Sequence, residues 1–310
     1  MATRSNNWPQ NGVSNLFRPK KVPDTIGAID TIWAIAFWAI VLCLGTILAG
    51  CNRGEPSRDD KEAAKTPENT AITPVKIVLD PRLKQSFEEA TLQEPPDDES
   101  RPPDQTVAGK SIGRMYEEIA GRGGWWDKIA FNTPEGKRIQ YAAVVKTDQG
   151  NITIELLADA APNHVRSFIA LAKAGYYNGL FFDRAVRQKI DGASGRELQY
   201  LEAGCPLGTG EPHSGSIGYW LKPEFSDKLT HVEGTVGACH GEELESAAAK
   251  FYITVSKAPE MDGQWTIFGR VTRGLDVART IFQRPVQEDD PSRPKEPAVI
   301  REVTILSRIE

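Results

Sequence analysis

A chain of 310 residues, 40% hydrophobic and 25% charged, is long enough to bury one good core. Its charged, Pro-rich first third leaves one main domain plus an anchor and a tether as the economical organisation. The formal net charge of -5 provides no basic footprint for neutralising phosphates, which argues against nucleic acid as a partner.

Residues 31–50, TIWAIAFWAIVLCLGTILAG, are apolar on every side and long enough, at about 1.5 Å per residue, to cross a hydrocarbon layer of about 30 Å. Arg18, Lys20 and Lys21 before the run are matched by Arg53, Arg58, Lys61 and Lys65 after it, so basic residues do not orient it. Leu48-Ala49-Gly50-Cys51 resembles a bacterial lipoprotein signal, with Cys51 as the lipidated residue. The long polar lead before the run fits an uncleaved signal anchor instead, and both readings stay open. Either one places the chain after Cys51 at the cell membrane, facing the periplasm or extracytoplasmic space. Of the four cysteines, Cys205 and Cys239 then remain as a pair of buried thiols or a disulfide.

The expected organisation is a signal or anchor at 1–51, a charged Pro-rich tether with a short helix at 52–110, a helical extension at 111–137 and a barrel domain at 138–310. Residues 52–69 carry scarcely any large apolar side chain and cannot repay the entropy of ordering. Asp80-Pro81 reads as a helix start, with Leu83, Phe87 and Ala90 at helical spacing up to about Gln93. A second helix is expected from Ser111 to Gly121, with Ile112, Met115, Tyr116 and Ile119 on one face. Both are too short to stand alone in water, so they are expected to dock on the following domain, together with Trp125 and Trp126.

Alternation through residues 139–145 and 152–156, joined by Asp148-Gln149-Gly150-Asn151, predicts a hairpin. Ala161-Pro162-Asn163 opens a helix closed by Gly175, and another helix is expected over 275–282. Strands are expected near 179–184, 200–203, 235–238, 251–255, 266–271 and 299–306. Many short strands with two helices predict a mainly β fold built on a closed antiparallel barrel.

Several blocks occur in order: Phe181-Phe182-Asp183-Arg184, Ala203-Gly204-Cys205-Pro206, Phe251-Tyr252-Ile253-Thr254 and residues 262–271, DGQWTIFGRV. This series resembles the cyclophilin family of peptidyl-prolyl cis-trans isomerases, whose blocks read roughly F-H-R, Q-G-G-D-P, Q-F-F-I-T and L-D-G-K-H-T-V-F-G-R-V. The resemblance spans about residues 138–306 and implies an eight-stranded closed antiparallel barrel with two capping helices. It also implies isomerisation of Xaa-Pro bonds in proline-containing polypeptides, without metal or cofactor.

By the same resemblance, Arg184 is the catalytic arginine. Phe251, Tyr252, Met261 and Tyr200 supply apolar substrate contacts, and Glu202, Lys250 and Trp265 stand where the family carries glutamine, glutamine and histidine. Gln199 falls where a pocket phenylalanine is usual. Glu202 and Lys250 are expected to pair with each other, exchanging amide bonds for a charge-assisted one. Residues 191–195, DGASG, read as a loop lengthening the connection beside the pocket.

Three other readings are weighed. The pocket substitutions favour a catalytically weak or inactive peptide-binding scaffold. Cys205 and Cys239 would carry a metal or redox role, although the spacings of these two with His213, His231 and His240 match no zinc template. Gly208-Thr209-Gly210 hints at a phosphate loop but lacks the preceding βαβ unit.

Overall fold

Two side-chain caps divide the first described stretch. The computed structural model describes residues 80–92, 101–190, 196–210 and 216–310. The apolar run, Cys51, residues 52–79 of the expected tether, the loop at 191–195 and His213 lie outside the described residues. Asp80 accepts from the Arg82 amide and starts a 3-10 turn, Pro81–Lys84. Ser86 then begins a separate turn, α1 (Phe87–Ala90), in a reciprocal capping box with Glu89. The single helix expected up to Gln93 is therefore corrected to two short turns, because each acceptor side chain satisfies its own set of free amides. The chain leaves as β1 (Thr91–Leu92).

The second helix, α2 (Ile112–Ala120), forms as expected, with Ser111 accepting from the Arg114 amide and Ile112, Met115 and Ile119 buried. A further turn, α3 (Trp125–Lys128), buries Trp126. Phe87 meets Tyr116, Trp126 and Tyr219 edge-on. Residues 80–92, expected inside the tether, thus belong to the layer docked on the barrel domain.

The hairpin β2 (Ile139–Thr147) and β3 (Gly150–Leu156) pairs in register from Tyr141 with Leu156 to Thr147 with Gly150. Its alternation buries Ala143, Val145, Ile152 and Ile154 on one face, as period-2 side-chain direction requires. After α4 (Pro162–Lys173) come β4 (Phe181–Lys189) and β5 (Glu197–Ala203), both longer than expected. The extra residues extend their hairpin out to Lys189 opposite Glu197. Next, β6 (Trp220–Leu221) pairs with β1, and β7 (Thr235–Ala238) and β8 (Phe251–Thr254) pair with each other. The chain ends with β9 (Ile267–Arg273), α5 (Leu275–Phe282) and β10 (Ala298–Ile309).

Eight strands close in the order β10-β2-β3-β9-β7-β8-β5-β4, and every pair is antiparallel. This is the barrel the resemblance implies. Its interior packs Phe168 of α4 against Tyr177, Phe251 and Phe268. The buried carboxylate of Glu224 sits at the start of α4, accepting from the amides of Asn163 and His164, from Asn163 Nδ2, and against His164 Nδ1 at 2.9 Å. A negative charge there complements the free amides and the positive end of the helix dipole.

Candidate functional site

Strand alternation sorts the paired aromatics of β8 to opposite sides. Phe251 enters the barrel core, with ring centroids 5.5 Å from Phe168 and 6.2 Å from Phe182. Its expected role as a substrate contact is corrected: the side chain belongs to the main core. Tyr252 faces the other way and joins a second apolar cluster with Tyr200, Cys239, Ala258 and Met261, against which Val186, Leu198 and Trp265 pack.

One cross-strand row assembles much of the site. Arg184 lies opposite Glu202, Glu202 opposite Tyr252, and Tyr252 opposite Gly237. The β4–β5 register shifts between Phe182 and Arg184, so Asp183 is the extra residue of a bulge, a device that re-aims neighbouring side chains. Phe182 and Ala185 consequently both reach the core, although strict alternation would have put them on opposite faces.

Lys250 and Glu202 form the expected pair, with Nζ 3.0 Å from Oε2, and Lys250 also donates to the Gly210 carbonyl at 3.2 Å. Burial opposes the ammonium charge, but the Glu202 and Asp183 carboxyls outweigh it and raise the lysine pKa. Asp183 is less well served. Its Oδ2 accepts from the Cys205 amide at 3.1 Å while its Oδ1 is buried with no hydrogen-bond partner among the described residues. Burial pushes its pKa up to about 7, against the pull of Lys250 and with further push from Glu202.

Sequence reasoning missed the support behind Tyr252. Its hydroxyl lies 2.7 Å from His231 Nε2, and His231 Nδ1 lies 2.7 Å from Asp262 Oδ1. An ionised carboxylate only accepts, so Nδ1 carries the proton, Nε2 accepts, and the tyrosine hydroxyl donates. Burial lowers the histidine pKa despite the bond to Asp262, which keeps this arrangement neutral at the ring. Gly237 provides the space, since a Cβ there would stand 2.1 Å from the Tyr252 hydroxyl. The signal was present in the tyrosine itself: a buried hydroxyl in place of a phenylalanine edge needs a partner.

Met261 closes the 3-10 turn Pro259–Met261 and is buried beside Tyr252. Trp265 meets the Tyr252 ring edge-on at 5.8 Å and stacks on His240 at 3.9 Å. Tyr200 lies 5.8 Å from Tyr252, and Gln199 is opposite Arg187 in the β4–β5 ladder. Of the expected site residues, Arg184, Glu202, Lys250, Tyr252, Tyr200, Met261 and Trp265 gather on this face, and Phe251 does not.

Cys205 and Cys239 are both buried and unpaired, and burial pushes the Cys239 thiol pKa up, away from the reactive thiolate. His231 and His240 are engaged with Asp262, Tyr252 and Trp265 rather than with the cysteines. Among the described residues no group of three or more histidine, cysteine or acidic side chains could hold a metal.

The guanidinium of Arg184 is the group that can do chemistry on an amide. Its Nη2 donates to Ser292 Oγ, which leaves other N–H donors of the fork for a substrate.

Comparison with known proteins identifies the family. The family model "Cyclophilin type peptidyl-prolyl cis-trans isomerase/CLD" matches residues 142–305. The chain is 32% identical over 165 residues to peptidyl-prolyl cis-trans isomerase-like 3 of Gallus gallus, covering 53% of this chain and 95% of that protein. It is 33% identical over 149 residues to a peptidyl-prolyl cis-trans isomerase of Helicobacter pylori, covering 47% and 83%. With peptidyl-prolyl cis-trans isomerase-like 2 of Rhizopus delemar it shares 31% identity over 180 residues, 58% of this chain but only 31% of that longer relative. A solved cyclophilin-type isomerase of Cryptosporidium parvum aligns with a TM-score of 0.47 and 22% identity, covering 55% of this chain and 99% of that one.

Proposed function

The chain belongs to the cyclophilin-type peptidyl-prolyl cis-trans isomerase family, and we propose that it catalyses cis-trans isomerisation of Xaa-Pro bonds in polypeptides outside the cytoplasm. The reaction requires no nucleophile or metal, because the obstacle is the partial double bond of the amide, with a barrier of about 18–20 kcal/mol. A guanidinium that donates to the imide nitrogen as it pyramidalises localises the lone pair and weakens that double bond. Arg184, fixed in the row Arg184–Glu202–Tyr252 beside the outer apolar cluster, is the observation that carries this reading. The apolar cluster supplies the wall for a proline ring, and the Lys250–Glu202 pair the polar boundary.

The extracytoplasmic setting rests on sequence: the apolar run at 31–50 and Leu48-Ala49-Gly50-Cys51. Lipidation at Cys51 or retention of an uncleaved anchor would both hold the catalytic domain at the membrane, beside exported chains whose uncatalysed prolyl isomerisation takes tens to hundreds of seconds. Mass spectrometry of the mature amino terminus distinguishes the two, and recovery of the whole chain in the soluble fraction would refute both.

A second reading has its own observation. Tyr252 and Met261 are only 0% and 3% exposed, and Trp265 leans on Tyr252, so an entering proline ring has to move Trp265 aside. A peptide-binding scaffold with little turnover fits that closed wall. A prolyl isomerisation assay on the full chain decides between them. Activity above the uncatalysed rate that is lost in Arg184→Ala supports the enzyme; peptide binding at the uncatalysed rate supports the scaffold.

A further inference from the structure

We propose that Ser292, backed by Asp290, is the positioning residue for the Arg184 guanidinium. The inference deepens the reading of Arg184 given above and rests on it. Neither residue lies in the sequence blocks that carry the family resemblance; both come from the connection between α5 and β10.

That connection is built into the barrel edge. β10 pairs with β4 only at Phe181 and Phe182. Farther along, the Ala185 amide donates to the Ser292 carbonyl at 2.6 Å, so the connection takes over the edge beside Arg184. The segment is tied back on itself by Gln287 N to Arg293 O at 2.8 Å, Lys295 N to Pro285 O at 2.8 Å, and a bridge between Val286 and Pro294. Pro291 and Pro294 restrict its backbone further.

Within it, one carboxylate oxygen sets the direction of the serine. Asp290 Oδ1 accepts from Ser292 N at 3.0 Å and from Ser292 Oγ at 2.6 Å. With its hydrogen bond donated to Asp290, the hydroxyl presents its lone pairs to Arg184 Nη2. Burial opposes ionisation of Asp290, but the two bonds from Ser292 and the nearby Arg184 charge outweigh it and lower the carboxyl pKa. The acceptor therefore stays ionised at neutral pH. Gly210 packs close against the arginine stem, where a Cβ would stand 2.5 Å from Arg184 Cγ.

The chemistry favours a hydroxyl over a carboxylate in this place. A carboxylate in direct contact would orient the guanidinium equally well but would offset the positive charge that the twisted imide nitrogen must feel. Glu202, the carboxylate opposite Arg184 in the ladder, is already paired with Lys250. Ser292 fixes the fork with a neutral atom and keeps the balancing charge of Asp290 one bond farther away.

The test compares Ser292→Ala, Ser292→Thr, Asp290→Asn and Arg184→Ala in the full chain, with isomerisation kinetics and ¹⁵N NMR of the Arg184 guanidinium, assigned by its loss in Arg184→Ala. Ser292→Ala should lower kcat roughly tenfold with KM within about twofold, and should speed rotation about the Arg184 Cζ–Nη2 bond. Ser292→Thr should restore both, and Asp290→Asn should fall between. Parent kcat with unchanged Arg184 resonances in Ser292→Ala overturns the proposal, as does a loss of kcat with those resonances unchanged. A parent chain at the uncatalysed rate would refute the enzymatic reading, while the resonances still decide whether Ser292 holds the arginine. Should Ser292→Ala not fold, Asp290→Asn carries the same two readouts and the same overturning results.

Discussion

Two buried carboxyl groups divide the molecule into a part committed to stability and a part left poised for chemistry. Glu224 is surrounded by donors from the first turn of α4, and Arg82 Nη1 stands 3.8 Å from it. Asp183 has one backbone donor and an orphaned oxygen. A satisfied buried charge fixes its surroundings, whereas an under-served one stores unfavourable desolvation. The Glu224 carboxylate, at the end of the barrel that docks the extension, is thus fully served, and the Asp183 carboxyl in the bulge that aims Arg184 is not.

The sharpest way to break the contrast is to remove a buried charge at each place. Glu224→Ala leaves the start of α4 and His164 without their acceptor and should cost about 3–5 kcal/mol. Lys250→Met strands Glu202 beside Asp183 and should cost a similar amount. The double variant Glu202→Gln with Lys250→Gln replaces the ion pair by an amide pair and should recover most of the loss. Urea unfolding of Glu224→Ala, Lys250→Met, the singles Glu202→Gln and Lys250→Gln, and their double variant checks both, and additive losses of the two amide singles would show that Glu202 and Lys250 are not coupled.

Next in size is Arg184→Ala, which should lower kcat/KM roughly a hundredfold, the scale of losing one preorganised donor. Its unfolding midpoint should hardly move, because the side chain is half-buried and its hydrogen bond runs to the Ser292 hydroxyl. Stopped-flow isomerisation and thermal melts on the same sample separate the two quantities. A large loss of stability with unchanged turnover would reverse the assignment of the two regions.

Much of the barrel was legible because alternation and turn chemistry are local. Residues 139–156 carry their hairpin in the spacing of Val145, Ile152 and Ile154 around Gln149-Gly150, and α4 and α5 formed where Pro162 and Gly274 punctuate the chain. The bulge at Asp183 was not legible, since residues 181–186, FFDRAV, run in apolar and polar pairs and offer no regular alternation whose break would mark it. Phe251 and Tyr252 look equivalent in sequence, and only the barrel decides which faces inward. The Lys250–Glu202 pair was readable as reciprocal substitutions, but Ser292 and His231 act across separations that no local pattern encodes. The division of the first expected helix was written in Ser86 and Glu89, a second start signal inside an otherwise continuous apolar spacing.

The poised region should also show a pH signature. Asp183 has an ordinary pKa of 3.8 when unfolded and about 7 in the fold. Between those values the folded chain holds a proton that the unfolded chain has lost, so its contribution to stability is complete below the unfolded value and declines as pH rises toward 7. Asp183→Asn keeps the neutral shape and should raise stability above pH 7 by about 1–3 kcal/mol. It should also flatten the stability profile between pH 4 and pH 7. Parallel profiles for parent and variant would place the charge of Asp183 in a well-served environment after all.

The smallest expected effect tests the support behind the apolar wall. Tyr252→Phe keeps the ring against Trp265 and Tyr200 but removes the donor to His231 Nε2. Loss of one buried hydrogen bond should cost about 1–2 kcal/mol above pH 7. Below the ordinary histidine range the parent loses stability, because His231 is held neutral in the fold while the unfolded chain takes up the proton. In the variant Nε2 has lost the hydroxyl proton it accepted, so protonation there no longer breaks a bond and this acid-side decline should become shallower. Unfolding profiles from pH 5 to pH 8 read both changes, and an equal decline in the two chains would show that the hydroxyl does not hold His231 in its neutral form.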